Sequence, residues 1–193
     1  MKKALNLFVL TGLLASISIL PSKAQSKFKA IKSVVSFFSS TPIEDISATT
    51  NQTKFIVDFT TNNLAVIIPI KSFEFPQKLM QEHFNENYLE SDQYPKATFK
   101  GKIIGKFDPS KPRQVLNIEG LFNIHGVEAT KVIKATFIYG DGHLTVETEF
   151  DVALATHRIE VPTLVFAKIA TVIKVKGVFE LLRDDLGFIQ LGE

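Results

Sequence analysis

Apolar and polar residues alternate with a period of two along most of this chain, the pattern of strands with one dry face and one wet face. In the clearest run, Leu144, Val146, Thr148, Phe150, Val152 and Leu154 share a face opposite Thr145, Glu147, Glu149, Asp151 and Ala153. Leu116, Ile118, Gly120, Phe122 and Ile124 alternate in the same way with Asn117, Glu119 and Asn123. Val127, Ala129, Ile133, Ala135 and Phe137 follow, opposite Glu128, Thr130, Lys134 and Thr136. Upstream, Ala97, Phe99, Gly101, Ile103 and Phe107 oppose Lys100, Lys102 and Lys106; near the end, Ile173, Val175, Phe179 and Leu181 oppose Lys174, Lys176 and Glu180. Shorter runs predict strands over 30–38, 46–51, 54–58 and 64–72.

Between these runs lie turn-forming sequences: Asp108-Pro109-Ser110-Lys111-Pro112, His125-Gly126 and Gly140-Asp141-Gly142. They predict consecutive antiparallel hairpins. One segment reads as a helix, with Pro76 suited to a first helical position and Gln77 to Phe84 free of breakers. Leu79, Met80 and Phe84 are expected to face the strands, with Lys78, Gln81 and Glu82 in water. The fold class is all-β. About eight strands joined by hairpins, with one or two short helices, fit either a closed antiparallel β-barrel or a two-sheet sandwich. Glycines at inward-reading positions, Gly101, Gly105, Gly120 and Gly177, favour the barrel, where bent strands and close approaches use glycine.

The N-terminus predicts export. Lys2 and Lys3 precede an apolar run from Leu5 to Leu20, broken by Pro21 before Ser22-Lys23-Ala24, a small-x-small cleavage pattern. Residues 1–24 are expected to be a signal peptide and 25–193 one domain, periplasmic or secreted after cleavage near Ala24. The run is shorter than the ~20 residues of a membrane span and carries Asn6, Thr11, Ser16 and Ser18. Export also changes the charge. The whole chain is +2, but removing Lys2, Lys3 and Lys23 leaves 19 basic against 20 acidic residues, a net charge of −1. Without excess positive charge, a nucleic-acid partner is not expected. With no cysteine in the chain, disulfides, thiol catalysis and zinc-thiolate sites are excluded.

Reactive groups are scattered. His83, His125, His143 and His157 show no HExxH or paired spacing, and no serine occupies a GxSxG elbow. Glu147, Glu149 and Asp151 share the wet side of one strand and read as a solvated stripe facing lysines on neighbouring strands. No metal or cofactor is expected. The chain is conspicuous instead for 17 phenylalanines and no tryptophan. Inward positions include Phe99, Ile103, Ile118, Phe122 and Phe137 in the middle strands, with Phe107 and Phe166 beyond them. Val146, Phe150 and Leu154, then Ile173, Phe179 and Leu181, continue the set. These residues suit either a packed core or a lined cavity. A cavity would bind hydrocarbon at roughly 25 cal/mol per Å² of apolar surface removed from water, less the cost of ordering the chain.

Three segments resemble a known family. Glu90-Ser91-Asp92-Gln93-Tyr94-Pro95-Lys96-Ala97-Thr98-Phe99 is similar to its tyrosine-proline element leading into a Thr-Phe strand. Gly120-Leu121-Phe122-Asn123-Ile124-His125-Gly126-Val127 resembles its Gly-x-Leu-x-Ile-His-Gly-Val hairpin, with Phe122 where leucine is usual. Phe150-Asp151-Val152 and Ile159-Glu160-Val161-Pro162 resemble its closing strand and irregular loop. This is the YceI-like family of exported bacterial proteins. The resemblance implies a lipocalin-like barrel with an elongated cavity for lipid or polyisoprenoid, lined by Phe99, Ile103, Ile118, Phe122, Phe137, Val146, Phe150, Leu154, Ile173 and Phe179. Met80 and Phe84 would form a movable cover at an opening near Pro76 to Ser91. Two departures bear on the head group: the early strand reads Ser33-Val34-Val35-Ser36-Phe37-Phe38 without the histidine often found there, and the helix reads Gln81-Glu82-His83 in place of the family's frequent Arg-Asp or Asn-Asp pair. The alternatives are an enzyme acting on a small apolar substrate through His83 or His125, and a packed sandwich that binds a protein partner.

Overall fold

A computed structural model describes residues 27–161 and 169–184. The leader, Pro162 and Phe166 lie outside the described residues. Each predicted hairpin forms. β5 (Lys96–Ile104) pairs with β6 (Arg113–Ile124), β6 with β7 (Val127–Gly140), β7 with β8 (His143–Ala153) and β8 with β9 (Val172–Arg183), all antiparallel. His125 and Gly126, with φ of 54° and 70°, make the tight β6–β7 turn; Asp141 and Gly142, at 51° and 76°, make the β7–β8 turn. Both have the left-handed backbone that two-residue hairpins require.

Closure comes from the first strand. β1 (Lys27–Ser40) pairs with β9 along Phe28–Phe38, so the sheet returns on itself and the two-sheet sandwich is overturned. The other edge of β1 is shared end to end by β2 (Asp45–Thr50), opposite Val35–Ser40, and β3 (Lys54–Asp58), opposite Lys27–Lys29. β3 then pairs with β4 (Asn63–Pro69) and β4 with β5. The result is a closed antiparallel barrel of eight strands plus one extra strand. A bulge between Ala30 and Lys32 leaves Ile31 outside the ladder and 61% exposed.

Three expectations need correction. The strand expected over 64–72 stops at Pro69, and Ile70–Ser72 forms a 3-10 turn. Proline has no N–H for the ladder; the Ile70 N–H instead donates to the Pro95 carbonyl at 2.9 Å. Helix α1 (Lys78–His83) is followed by one π turn (Phe84–Tyr88), and its Leu79 is 61% exposed. Met80 and Phe84, four residues apart, take the inward line of this short helix, and Leu79 is turned about 100° from Met80. Gly105, with φ of +99°, lies in the turn after β5 and has no neighbour near its α-carbon side. It supplies turn geometry and no inward space.

The barrel has a packed base. There the β3–β4 and β5–β6 loops fold over the end: the Asn62 side-chain amide donates to the Gly105 carbonyl at 3.1 Å, and the Ile103 N–H donates to the Asn62 carbonyl at 2.8 Å. Phe59 and Phe107 stack with centroids 4.0 Å apart and both contact Phe137, which is fully buried. Phe28 packs edge-on against Phe59 and Tyr139. Burying one such phenyl ring contributes about 1.5–3 kcal/mol. The opposite end carries the β1–β2 turn, α1 and the His125-Gly126 turn, and it is hollow.

Candidate functional site

The hollow end is an apolar chamber with an empty volume of about 960 Å³, including its open mouth. Its wall is built from inward positions of several strands: Val35 and Phe37 of β1, Phe122 and Ile124 of β6, Phe150 and Val152 of β8, and Ile173 and Val175 of β9. The covering segment supplies Ile70, Phe73, Phe75, Met80, Phe84 and Leu89. A deeper chamber, about 580 Å³ of empty space when its open side is included, lies toward the base and shares Val35, Ile68, Phe122, Phe150 and Val175 with the first. Its remaining wall includes Phe55, Phe99, Ile118, Val146 and Phe179.

Polar chemistry is almost absent from the mouth chamber. Among the described residues its hydroxyl-bearing side chains are Ser39, whose Oγ accepts the Ala170 N–H at 2.9 Å, and Tyr88. Burial raises the Tyr88 phenol above its ordinary range, so it stays protonated. Among the described residues, no charged side chain is part of the wall. Such a surface accepts hydrocarbon without leaving a polar atom unpaired.

Four phenyl rings crowd the mouth. Phe37 stacks on Phe84 at 5.4 Å and meets Phe73 and Phe75 edge-on at 5.2 and 5.6 Å. Phe84 in turn contacts Phe73 at 5.7 Å and Phe75 at 5.0 Å. It therefore holds α1 to the barrel by contacts that a hydrocarbon chain could replace.

Beside the mouth, three loops are joined by a histidine cluster. His125 Nε2 lies 2.7 Å from Glu90 Oε2, and its Nδ1 is 3.3 Å from the His157 carbonyl oxygen. His157, on the 3-10 turn Leu154–His157, is buried; its Nδ1–H donates to the Val127 carbonyl at 3.0 Å, and its ring meets Phe122 edge-on at 5.2 Å. Burial holds the His157 ring below the usual histidine range, and nearby Lys131 acts in the same direction. Tyr94 packs edge-on against His125 at 4.7 Å and lies against Gly126 so closely that a Cβ there would come within 2.5 Å of Tyr94 Cε1. The Tyr94-Pro95 and His125-Gly126 elements thus meet as one structural clasp. His83 is half-buried on α1, and His143 is exposed at the start of β8. Among the described residues, no group of three or more His, Asp or Glu side chains could hold a metal ion. On the outer wall Glu149 pairs with Lys174 and Lys176 at 3.0 and 3.1 Å, a solvated stripe.

The structure brings Met80, Phe84, Phe122, Phe150, Leu154 and Ile173 to the mouth chamber. Phe99, Ile118, Val146 and Phe179 reach the deeper one. Ile103 and Phe137 line neither; they are 2% and 0% exposed within the packed base. Sequence reasoning did not single out the wall residues Phe37, Ile70, Phe73, Phe75 and Tyr88. The alternating Phe73-x-Phe75 pair before Pro76 is the signal that could have found two of them.

Residues 21–181 match the family described as the YceI-like domain. Solved structures with the same fold include BcnA of Burkholderia cenocepacia, 16% identical over 77% of this chain and 95% of that one, with a TM-score of 0.67. A polyisoprenoid binding domain from Saccharophagus degradans, implicated in plant cell wall breakdown, is 13% identical over 82% and 99%, with a TM-score of 0.69. A Campylobacter jejuni YCEI protein is 18% identical over 64% and 75%, with a TM-score of 0.51. No curated protein matches the chain.

Proposed function

The chain belongs to the YceI-like domain family, and from that premise we propose that it is an exported, non-enzymatic carrier that holds a lipid or polyisoprenoid in its barrel. The observation that carries this reading is the pair of adjoining chambers, which share wall residues and are walled by aliphatic and phenyl side chains, with no charged group among the described residues of the mouth chamber's wall. The polyisoprenoid binding attributed to the Saccharophagus degradans domain supports the same ligand class.

In the mechanism, the apolar tail enters at the mouth, displacing phenyl contacts around Phe84 while α1 moves aside. Each buried methylene contributes about 0.8 kcal/mol, so a five-carbon isoprene unit contributes roughly 4 kcal/mol before the cost of immobilising it. The head group stays at the rim, and release reverses the path. His125 holds the rim and performs no chemical step. Residues 1–24 act as the export signal, 25–193 as the binding domain, and the working location is the periplasm or the exterior. No helix among the described residues is long and apolar enough to cross a membrane.

Purification of the exported protein under native conditions, followed by solvent extraction and mass spectrometry, tests the reading. A stoichiometric apolar lipid is expected. Recovery of none, together with no uptake of added prenyl alcohol, would overturn it. Replacing His83 and His125 together separates the enzymatic alternative, since a carrier keeps its extractable lipid in that variant.

A further inference from the structure

The deeper chamber ends on a floor built by ring placement. On β9, Ile173 and Val175 line the mouth chamber, Gly177 and Phe179 line the deeper one, and Leu181 lies beyond, 1% exposed. The Phe179 ring folds back over Gly177: a Cβ on Gly177 would stand 2.7 Å from Phe179 Cε2. Across the barrel, Phe99 does the same over Gly101, where a Cβ would stand 2.9 Å from Phe99 Cε1. The absent side chains therefore make room for the protein's own rings and not for a guest. Phe179 is locked further by an edge-on contact with Phe55 at 4.9 Å. Beneath lie Ile103, Phe137, Leu144 and Leu181, each at most 2% exposed, so the route to the base is filled.

The depth follows from the strand. Ile173 to Phe179 is six residues, about 20 Å at ~3.3 Å per residue, and the strand tilt of a closed barrel reduces this to roughly 15 Å along the axis. That is about half of the ~30 Å hydrocarbon core of a bilayer, the reach of a tail filling one leaflet. An extended chain advances about 1.2 Å per bond, so roughly twelve carbons span the space.

We propose that the Phe99–Phe179 floor is a chain-length ruler: the protein takes one apolar tail, end first, to a depth of about twelve extended carbons, and leaves any longer remainder at the mouth. This rests on the reading of the chambers as a hydrocarbon site, and the test separates the two. Straight-chain alcohols of about eight to twenty-four carbons are titrated into the delipidated full chain by competition with a fluorescent fatty acid. Affinity is expected to rise about fourfold per methylene up to roughly twelve carbons and then level off. Val66 lines only the deeper chamber and is half-buried; Val66→Phe should bring the plateau in by several carbons, and Phe179→Ala should move it out. Circular dichroism establishes that each variant is folded, and Val66→Phe alone decides if Phe179→Ala is not. An affinity still climbing past about twenty carbons, or an unmoved plateau in folded Val66→Phe, overturns the ruler while leaving the carrier reading intact. Binding of no alcohol at any length overturns both.

Discussion

His125 Nε2 lies 2.7 Å from Glu90 Oε2, a contact between residues 35 apart in the chain that joins the β6–β7 turn to the segment covering the chamber. The histidine side chain is 12% exposed and the glutamate 48%, so the pair is screened on one side. Glu90→Ala is expected to cost only about 1 kcal/mol of stability. Its main effect should be on exchange: stopped-flow displacement of a fluorescent lipid should run several times faster, and an unchanged rate would mean that the clasp does not govern the mouth.

Phe84 is half-buried and touches three other rings at the mouth. Phe84→Ala should weaken lipid binding about tenfold, which is ~1.4 kcal/mol, mostly through faster dissociation. The thermal midpoint should move less than in Phe137→Ala, which empties a fully buried site in the base and should cost about 3–5 kcal/mol. Equal losses of stability in the two variants would contradict the division between mouth and base.

Gly120 sits opposite Gly101 in the β5–β6 ladder. A Cβ on Gly120 would lie 2.3 Å from the Lys100 carbonyl oxygen and 2.5 Å from the Gly101 α-carbon, both backbone atoms that cannot rotate away. Gly120→Ala should therefore destabilise the barrel by about 3 kcal/mol, measured by urea unfolding. A wild-type midpoint would show that the strands separate there at little cost.

Acid should weaken the fold through His157. Because burial lowers its pKa in the native state, the unfolded chain takes up a proton first as the pH falls. Stability is therefore complete above the ordinary value of about 6.5 and declines from there toward the lowered native value. His157→Asn, which removes the titration, should flatten the dependence of the melting temperature on pH between about 7.5 and 5. The carboxylates of Asp108 and Glu149, both lowered by hydrogen bonds to Ser110 and to Lys174 and Lys176 respectively, act only below that window. An unchanged slope in the variant would assign the acid sensitivity to another group.

The alternation of side chains, with turn residues at the three hairpins, determined the antiparallel strands and their inward faces: Leu144, Val146 and Val152 are buried as their period requires, and Glu147 and Glu149 face water. A period of two states which side of a sheet a residue takes, but not its height along the barrel axis. Height is set by strand tilt and register once β1 closes on β9, and so two inward phenylalanines of one sequence class part company: Phe150 lines the chambers while Phe137 fills the base. The covering segment and its Met80 and Phe84 were legible in the sequence, but their partners were not, because Phe37 and Phe84 meet only after the 70–89 segment folds across the open end. Closure, depth and the Glu90–His125 clasp depend on contacts between residues far apart in the chain, which only the tertiary arrangement supplies.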